Sequence, residues 1–375
     1  MECRNHQQGC SNCKSKNTTL VKTGKTRDIM GVPIGMKKVI LRIHTCRTKC
    51  KDCKSSIQEL INFCSRPRIH YSKKLEDFVC HLRKSMTISA IAAFVGLSWD
   101  TVKEIEKNNL RKNYKDISLK GVEFLGVDEV HMGKKMGFIT IVRDLESGRV
   151  LFIGNGKGSE ALKPFNRKIK RRAKNIKAIC MDMANSYSSW AKEHLPDADI
   201  IYDHFHVIKS MNDKLDAERR TTMNLLEEDQ KKELKGYRFH FMRNEEDLKP
   251  KAANDLKRLR CEFETLGQVS YMKEYLRNIY RMATDENIAK RAFELWCEKA
   301  VATGIARLKT MARTITSRLE GLVCYWKYDK LTNASQEGFN NKIRWLTRQA
   351  YGYRDLEYLK LKIFDLPKLS VRKEL

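Results

Sequence analysis

Asp128, Asp182 and Glu337 are the residues of this chain whose types and settings could do chemistry together. Asp128 ends the apolar run Val122-Glu123-Phe124-Leu125-Gly126-Val127, and Asp182 ends Ile176-Lys177-Ala178-Ile179-Cys180-Met181. Glu337 lies within Ser335-Gln336-Glu337-Gly338-Phe339-Asn340-Asn341. Carboxylates are the ligands a hard divalent cation prefers. Two Mg²⁺ or Mn²⁺ ions about 4 Å apart make a water or a 3′-hydroxyl nucleophilic and stabilise the leaving oxygen in line with it. Three convergent carboxylates therefore point to the cutting and joining of phosphodiesters. Any long chain offers many acids, so position carries the inference. A short apolar run bounded by polar residues reads as a buried strand, and a carboxylate at its tip costs little because it stands near solvent. Glu129, Asp144 and Asp203 rank next as ligands.

The elements that must position these acids alternate over residues 122–203. A strand over 122–127 is followed by Phe138 to Asp144, a turn at Glu146-Ser147-Gly148, and Val150 to Ile153, which reads as three antiparallel strands in succession. A basic helix from about Ser159 to Ala173, a strand over 176–181, a helix over 184–194 and a strand over 199–202 complete the segment. That order is the one of the ribonuclease-H-like α/β fold, a mixed sheet with the antiparallel strands first. From about residue 204 to 325 strand patterns vanish and helical spacings take over, as in Leu215, Arg219, Met223 and Leu226, or Ala292, Leu295, Trp296 and Ala300. The stretch is an all-helical insertion into the core or a separate helical domain. In the first case the segment bearing Glu337 must fold back beside the strand tips. In the second, the third ligand would have to be a nearer acid such as Glu129 or Asp203.

At 375 residues the chain can form two or three domains. Six of its 12 cysteines fall in the first 53 residues. Cys10-Ser11-Asn12-Cys13 and Cys50-Lys51-Asp52-Cys53 are paired CxxC knuckles flanking the alternating stretch Lys38 to Ile43, the pattern of a ribbon closed by one structural Zn²⁺. Cys3 and Cys46 are spare candidates, with His6 and His44 behind them. Residues 72–112 read as helices: Leu75, Phe78, Val79 and Leu82 share a face, Ile88, Ile91, Ala92 and Val95 another, Gly96 breaks the pattern, and Ser98 caps a new helix. This is helix-turn-helix punctuation, with Ser98, Trp99, Thr101 and Lys103 at the head of the second helix as the expected DNA contacts of a recognition helix; a plain three-helix module is the alternative.

Charge indicates the partner. Lys and Arg number 74 against 46 Asp and Glu, a net of +28, and residues 1–120 hold 25 basic and 10 acidic side chains (25 − 10 = +15), over half of the excess. Such a balance suits a polyanion held mainly by the N-terminal part. The expectation is an intracellular protein, since neither a signal pattern nor an apolar stretch of membrane-spanning length occurs. Lys168 to Lys174 forms either a phosphate contact or a solvated helix face. Of the five tryptophans, Trp99, Trp190, Trp296, Trp326 and Trp345, only Trp345 between Arg344 and Arg348 reads as a DNA-stacking candidate, the others as core.

Taken in order, these blocks resemble the bacterial DDE transposases of the insertion-sequence family called ISL-three. The knuckles resemble that family's zinc ribbon, and Thr87-Ile88-Ser89-Ala90-Ile91-Ala92 with Leu97-Ser98-Trp99-Asp100-Thr101-Val102 resembles its helix-turn-helix. Gly126-Val127-Asp128-Glu129, Cys180-Met181-Asp182-Met183, Asp203-His204-Phe205-His206-Val207 and Glu337-Gly338-Phe339-Asn340-Asn341-Lys342-Ile343, followed by Arg348-Gln349-Ala350-Tyr351-Gly352, resemble its catalytic blocks. The resemblance implies metal-dependent strand cleavage and strand transfer on the element's terminal inverted repeats and a target duplex. Asp128, Asp182 and Glu337 would be catalytic, Asp203 and His206 accessory, and Lys342, Arg344 and Arg348 DNA contacts. It also implies a homo-oligomeric active complex, no nucleotide cofactor or membrane, and a place in the bacterial cytoplasm at the nucleoid. The expected domains are a zinc ribbon (1–66), a helix-turn-helix (67–118), a first core part (119–211), the helical insertion (212–325) and a C-terminal core part (326–375). A DNA-binding repressor without catalysis and a structure-selective nuclease are the competing functions.

Overall fold

The computed structural model describes residues 9–367 apart from Ser11, 59–60, 67–68 and Lys135, and describes no side chains for 22–25, 46, 57–58 and 334–335. Cys3 and His6 thus lie outside the described residues. The chain divides into two compact units, Met1–Asp116 and Ile117–Leu375.

In the first unit, β1 (Thr18–Met30), β2 (Ile40–Cys50) and β3 (Ser56–Gln58) form an antiparallel ribbon. The helices α1 (Lys73–Leu82), α2 (Ile88–Val95) and α3 (Trp99–Asn113) follow. Each begins at a hydroxyl cap that satisfies an otherwise unpaired N–H, Ser72 for Leu75, Thr87 for Ala90 and Ser98 for Thr101. Gly96 ends α2 at φ +76°, a left-handed conformation that glycine adopts without penalty. The alternation of apolar residues builds one core from both parts, with Ile29 of β1 buried beside Leu75, Val79, Ile91, Val95 and Val102.

The second unit holds a five-stranded sheet in the order β6-β5-β4-β7-β8. Its strands are β4 (Phe124–His131), β5 (Phe138–Asp144), β6 (Val150–Asn155), β7 (Ala178–Met181) and β8 (Asp199–Tyr202), with α4 (Ser159–Lys170) and α5 (Asn185–His194) between the later ones. The first three strands are antiparallel and β4, β7 and β8 parallel, as the sequence pattern predicts. One boundary differs. Asp128 does not end β4, because β5 pairs with that strand as far as His131↔Phe138, whereas the last β4–β7 pair is Gly126↔Cys180. Asp128 therefore stands just past the end of the parallel pairing and inside the antiparallel one.

Helices α6 (His204–Met223), α7 (Glu228–Gly236), α8 (Arg238–Met242), α9 (Pro250–Glu262), α10 (Glu264–Met282), α11 (Glu286–Ala302), α12 (Ala306–Thr316) and α13 (Leu319–Lys327) come next. Their buried faces, including Leu276, Phe293 and Trp296, join Leu125, Val127 and Ile179 of the sheet in one core. Among the described residues no helix is long and apolar enough to cross a membrane. The chain then returns to the sheet: Phe339 and Ile343 of α14 (Ala334–Gln349) and Leu359 and Ile363 of α15 (Leu356–Phe364) pack on Val130, Ile139 and Ile141. Because side chains alternate along a strand, Gly126, Asp128 and Val130 share this face, while Leu125, Val127 and Glu129 point to the other.

Gly126 makes that return possible. A Cβ there would lie 2.6 Å from Asn333 Oδ1 and 2.6 Å from Leu145 Cδ2. Gly126→Ala should therefore destabilise the protein by about 1–3 kcal/mol through overpacking. Denaturant unfolding reads this directly, and an unchanged midpoint would mean that the approach of Asn333 is not a tight one.

Candidate active site

The strand registers bring the acids together. β4 and β7 pair as Gly126↔Cys180 and β7 and β8 as Met181↔Tyr202, so continuing each register sets Asp128 beside Asp182 and Asp182 beside Asp203. The three lie in a row at the C-terminal ends of adjacent parallel strands, where α/β sheets commonly carry their sites. Asp128 Oδ1 accepts the Glu129 N–H at 2.8 Å, and its Oδ2 accepts an N–H of the Asn340 amide at 2.7 Å. Burial pushes the Asp128 carboxyl above the usual carboxylate range, opposed by those two donors and by the charge of His206, while Asp182 adds to the rise. Asp182 Oδ1 accepts the Ala184 N–H at 2.8 Å.

Glu337 rides on the first turn of α14 and is exposed, with no hydrogen bond or ion pair among the described residues. Its helix is tied to β4 twice, by the Asn340–Asp128 bond and by Asn333 Nδ2 donating to Val127 O at 3.2 Å. Glu337 stands one helical turn before Asn340, on the side of α14 that rises from the contact with Asp128. The three carboxylates, two side by side by register and one on a helix bonded to Asp128, are of the ligand type a hard divalent cation prefers.

Asp203 caps α6, accepting the Phe205 N–H at 3.3 Å, and takes a hydrogen bond of 3.0 Å from Thr332 Oγ1. His206 Nδ1 approaches Asp203 Oδ2 to 3.3 Å; it is not aligned for a hydrogen bond, so the contact is electrostatic. Burial would raise the Asp203 carboxyl, but His206, then His204 and Thr332, outweigh it and hold it below its ordinary value. The same Asp203 carboxylate raises His206 against its own burial, with Asp128 and Asp182 contributing. The imidazole thus stands beside the acid row with its protonated form favoured by the carboxylates around it. The other two acids ranked as rivals are engaged elsewhere. Glu129 faces the opposite side of the sheet, accepting from Tyr187 Oη at 2.6 Å and from the Gly158 N–H at 3.0 Å. Asp144 pairs with Leu125 at the far end of β4 and accepts in its own turn from the Glu146 N–H and Ser147.

Sequence reading missed the polar side chains that hold α14. Arg143, Gln336 and Asn340 are buried, and the Arg143 guanidinium lies 4.4 Å from the centre of the Phe339 ring. The available signal was an arginine inside the apolar strand Phe138-Ile139-Thr140-Ile141-Val142-Arg143. On the outer face of α14, Gly338, Asn341, Lys342, Arg344, Trp345 and Arg348 line one open hollow, with Trp345 58% exposed. Trp190, Trp296 and Trp326 are core, whereas Trp99 is 47% exposed with Lys103 Nζ 5.8 Å from its ring centre. Ser98 and Thr101 bond each other through their hydroxyls at 2.7 Å, at the start of α3.

In the first unit, the sulfurs of Cys10, Cys13, Cys50 and Cys53 lie within 4.8 Å of one another, with Cys10–Cys53 and Cys13–Cys50 each at 3.5 Å. A tetrahedral Zn²⁺ with Zn–S bonds of about 2.3 Å needs sulfurs roughly 3.8 Å apart, so the quartet fits. The Cys13 N–H lowers the Cys10 thiol, and the Ser55 hydroxyl and N–H pull Cys53 down to about 6, whereas Cys13, despite the Ser15 N–H, is pushed up to about 12 by the Cys50 sulfur beside it. The acidic trio is not gathered within 4.8 Å. A two-ion site does not require it, since the ions themselves stand about 4 Å apart.

Antiparallel strands leading into a parallel row of acids define a ribonuclease-H-like core, joined in this chain to a four-cysteine ribbon. A family model described as transposase, of the DDE type named for ISL-three, matches residues 125–363, and one described as the zinc-finger of transposase IS204/IS1001/IS1096/IS1165 matches residues 6–53. The chain belongs to the ISL-three family of DDE transposases. It is 30% identical over 358 residues to the transposase for insertion sequence element IS1001 of Bordetella parapertussis, covering 94% of this chain and 87% of that protein. It is 23% identical over 375 residues to the transposase for insertion sequence element IS1557 of Mycobacterium tuberculosis, covering 93% and 83%. Among solved structures, the Drosophila P element transposase strand transfer complex aligns at a TM-score of 0.43 and 12% identity over 78% of this chain and 90% of that one.

Proposed function

We propose that this transposase binds the terminal inverted repeats of an insertion sequence and cuts and joins DNA at Asp128, Asp182 and Glu337. The reading rests above all on the shared register of Asp128 and Asp182, with the helix of Glu337 bonded to Asp128 through Asn340. The three carboxylates would hold two Mg²⁺ or Mn²⁺ ions, which when bound activate the attacking oxygen and stabilise the leaving one. The chain's own groups orient the rest. Asn340 fixes Asp128, and His206, held beside Asp203, offsets the charge of the row when it carries a proton. Lys342, Arg344 and Arg348 meet phosphates beside Glu337, and Trp345 offers a stacking face. Trp99 and Lys103 reach bases and phosphates from the head of α3, which Ser98 and Thr101 keep wound. The ribbon (1–66) and helix-turn-helix (67–118) recognise the ends, the core (119–211 and 326–375) carries the chemistry around the helices of 212–325, and several copies act together in the active complex.

Precut element ends, a divalent metal and a plasmid target should give joined products. Cleavage of uncut ends without joining would instead indicate a structure-selective nuclease, and specific end binding with neither reaction a repressor. The Arg344→Ala/Arg348→Ala protein should show a salt slope of binding shallower by about 2 and a uniform loss of affinity across sequences. An unchanged slope would remove α14 from the DNA surface.

A further inference from the structure

A chain of buried hydrogen bonds runs from the β5–β6 turn to the acid row. Arg143 Nη2 donates to Gly148 O at 3.0 Å, and Arg143 Nη1 to Gln336 Oε1 at 3.1 Å. Gln336 Nε2 donates to Asn340 Oδ1 at 3.3 Å, and Asn340 Nδ2 to Asp128 Oδ2 at 2.7 Å. Arg143, Gln336 and Asn340 are 0%, 1% and 6% exposed, so water cannot readily substitute for any partner.

The direction of this chain is fixed by its Arg143 end, because a guanidinium has only donors. With Arg143 at one end, Gln336 must turn its carbonyl toward it and its NH₂ toward Asn340. Asn340 must then turn its carbonyl back and its NH₂ toward Asp128. Neither amide can flip alone without setting acceptor against acceptor in a buried place, a costly arrangement.

We propose that Arg143, Gln336 and Asn340 are positioning residues, a one-way relay that forces an N–H donor onto Asp128 Oδ2 and so holds its carboxylate aimed for divalent metal. This rests on the reading of Asp128 as a metal ligand. The relay also joins the helix of Glu337 to the strand of Asp128, so the two ligands are set by one network.

Two substitutions at one position separate relay from packing. Gln336→Glu keeps an acceptor for Arg143 but cannot donate to Asn340, which must flip and present its carbonyl to Asp128. Gln336→Leu removes the acceptor from a buried guanidinium but gives Asn340 no reason to flip. The proposal therefore expects a crossing. Gln336→Glu should unfold at a higher temperature than Gln336→Leu, yet bind Mn²⁺ more weakly, by about tenfold relative to the starting protein, the effect of losing a charge-assisted hydrogen bond. Mn²⁺ binding to the full-length protein is read by electron paramagnetic resonance, and unfolding by calorimetry without metal. Affinities that simply follow melting temperatures, or a Gln336→Glu protein with undiminished Mn²⁺ affinity, would overturn the relay. Should Gln336→Glu fail to fold, Asn340→Leu removes the last donor and should give the same loss of affinity; undiminished affinity there would overturn it too. Asp128→Ala serves as the reference. Full Mn²⁺ affinity in that variant overturns the ligand assignment, whereas a loss there with no loss in the relay variants overturns the relay alone.

Discussion

Alanine at Asp128, Asp182 or Glu337 is expected to abolish cleavage and joining, each by about 10³-fold or more, because a lost ligand removes several kcal/mol of metal stabilisation from the transition state. Binding to end DNA should stay within about twofold, since affinity comes from phosphate contacts spread over a basic surface. Gel-shift and strand-transfer assays on the same preparations make the comparison. Asp128→Asn adds a near-isosteric control. Burial raises the folded-state pKa of Asp128, so its ionised form opposes folding at every pH above the unfolded carboxylate value. An amide there relieves the buried charge but sets its NH₂ against one of the two donors, so the metal-free protein should stay within about 1–2 kcal/mol of the starting one while remaining inactive. Inactivity with a larger loss of stability would point to damage to the fold, and metal-dependent cleavage surviving in any variant would remove that residue from the catalytic set.

The strands were legible because each is a short apolar run bounded by turn residues, and the alternating order of strands and helices gave the sheet topology. What alternation cannot give is how far each neighbour pairs. Asp128 reads as a strand end, but β5 supports β4 to His131 while β7 stops at Gly126↔Cys180, and only this unequal support makes the acid row. Asp203 was legible as a rival ligand and accessory residue, but its place beside Asp182 follows only from the Met181↔Tyr202 register. Buried amides are harder still. Gln336 and Asn340 look like the polar side of a helix, and nothing short of the packing of Phe339 and Ile343 against Val130 and Ile141 shows that this side faces inward. Glu337 is the reverse case. Its block was legible by resemblance, while its geometry depends on a helix that returns to the sheet after more than a hundred intervening residues.

Removal of zinc is expected to unfold one end of the ribbon and spare the other. Ligation by four thiolates contributes on the order of 10 kcal/mol or more to folding in small zinc modules, beyond what a short ribbon gains by itself. Cys50 pairs with Thr18 at the knuckle end of β1 and β2, and the four sulfurs gather there. The other end is anchored without metal. Ile29 is buried against the helices, and Met30 exchanges backbone hydrogen bonds with His70 and Ser72 at 2.8 and 2.9 Å. Chelation should therefore abolish amide-exchange protection around 13–20 and 46–56 while protection persists at Ile29 and Met30 and through α1 to α3. Metal analysis should give one zinc per chain, lost in Cys10→Ser. Zinc retained in that variant would shift the ligand set toward Cys3 or Cys46. Protection lost uniformly through α1 to α3 would show that the helices depend on the metal after all, and that Ile29 is no anchor.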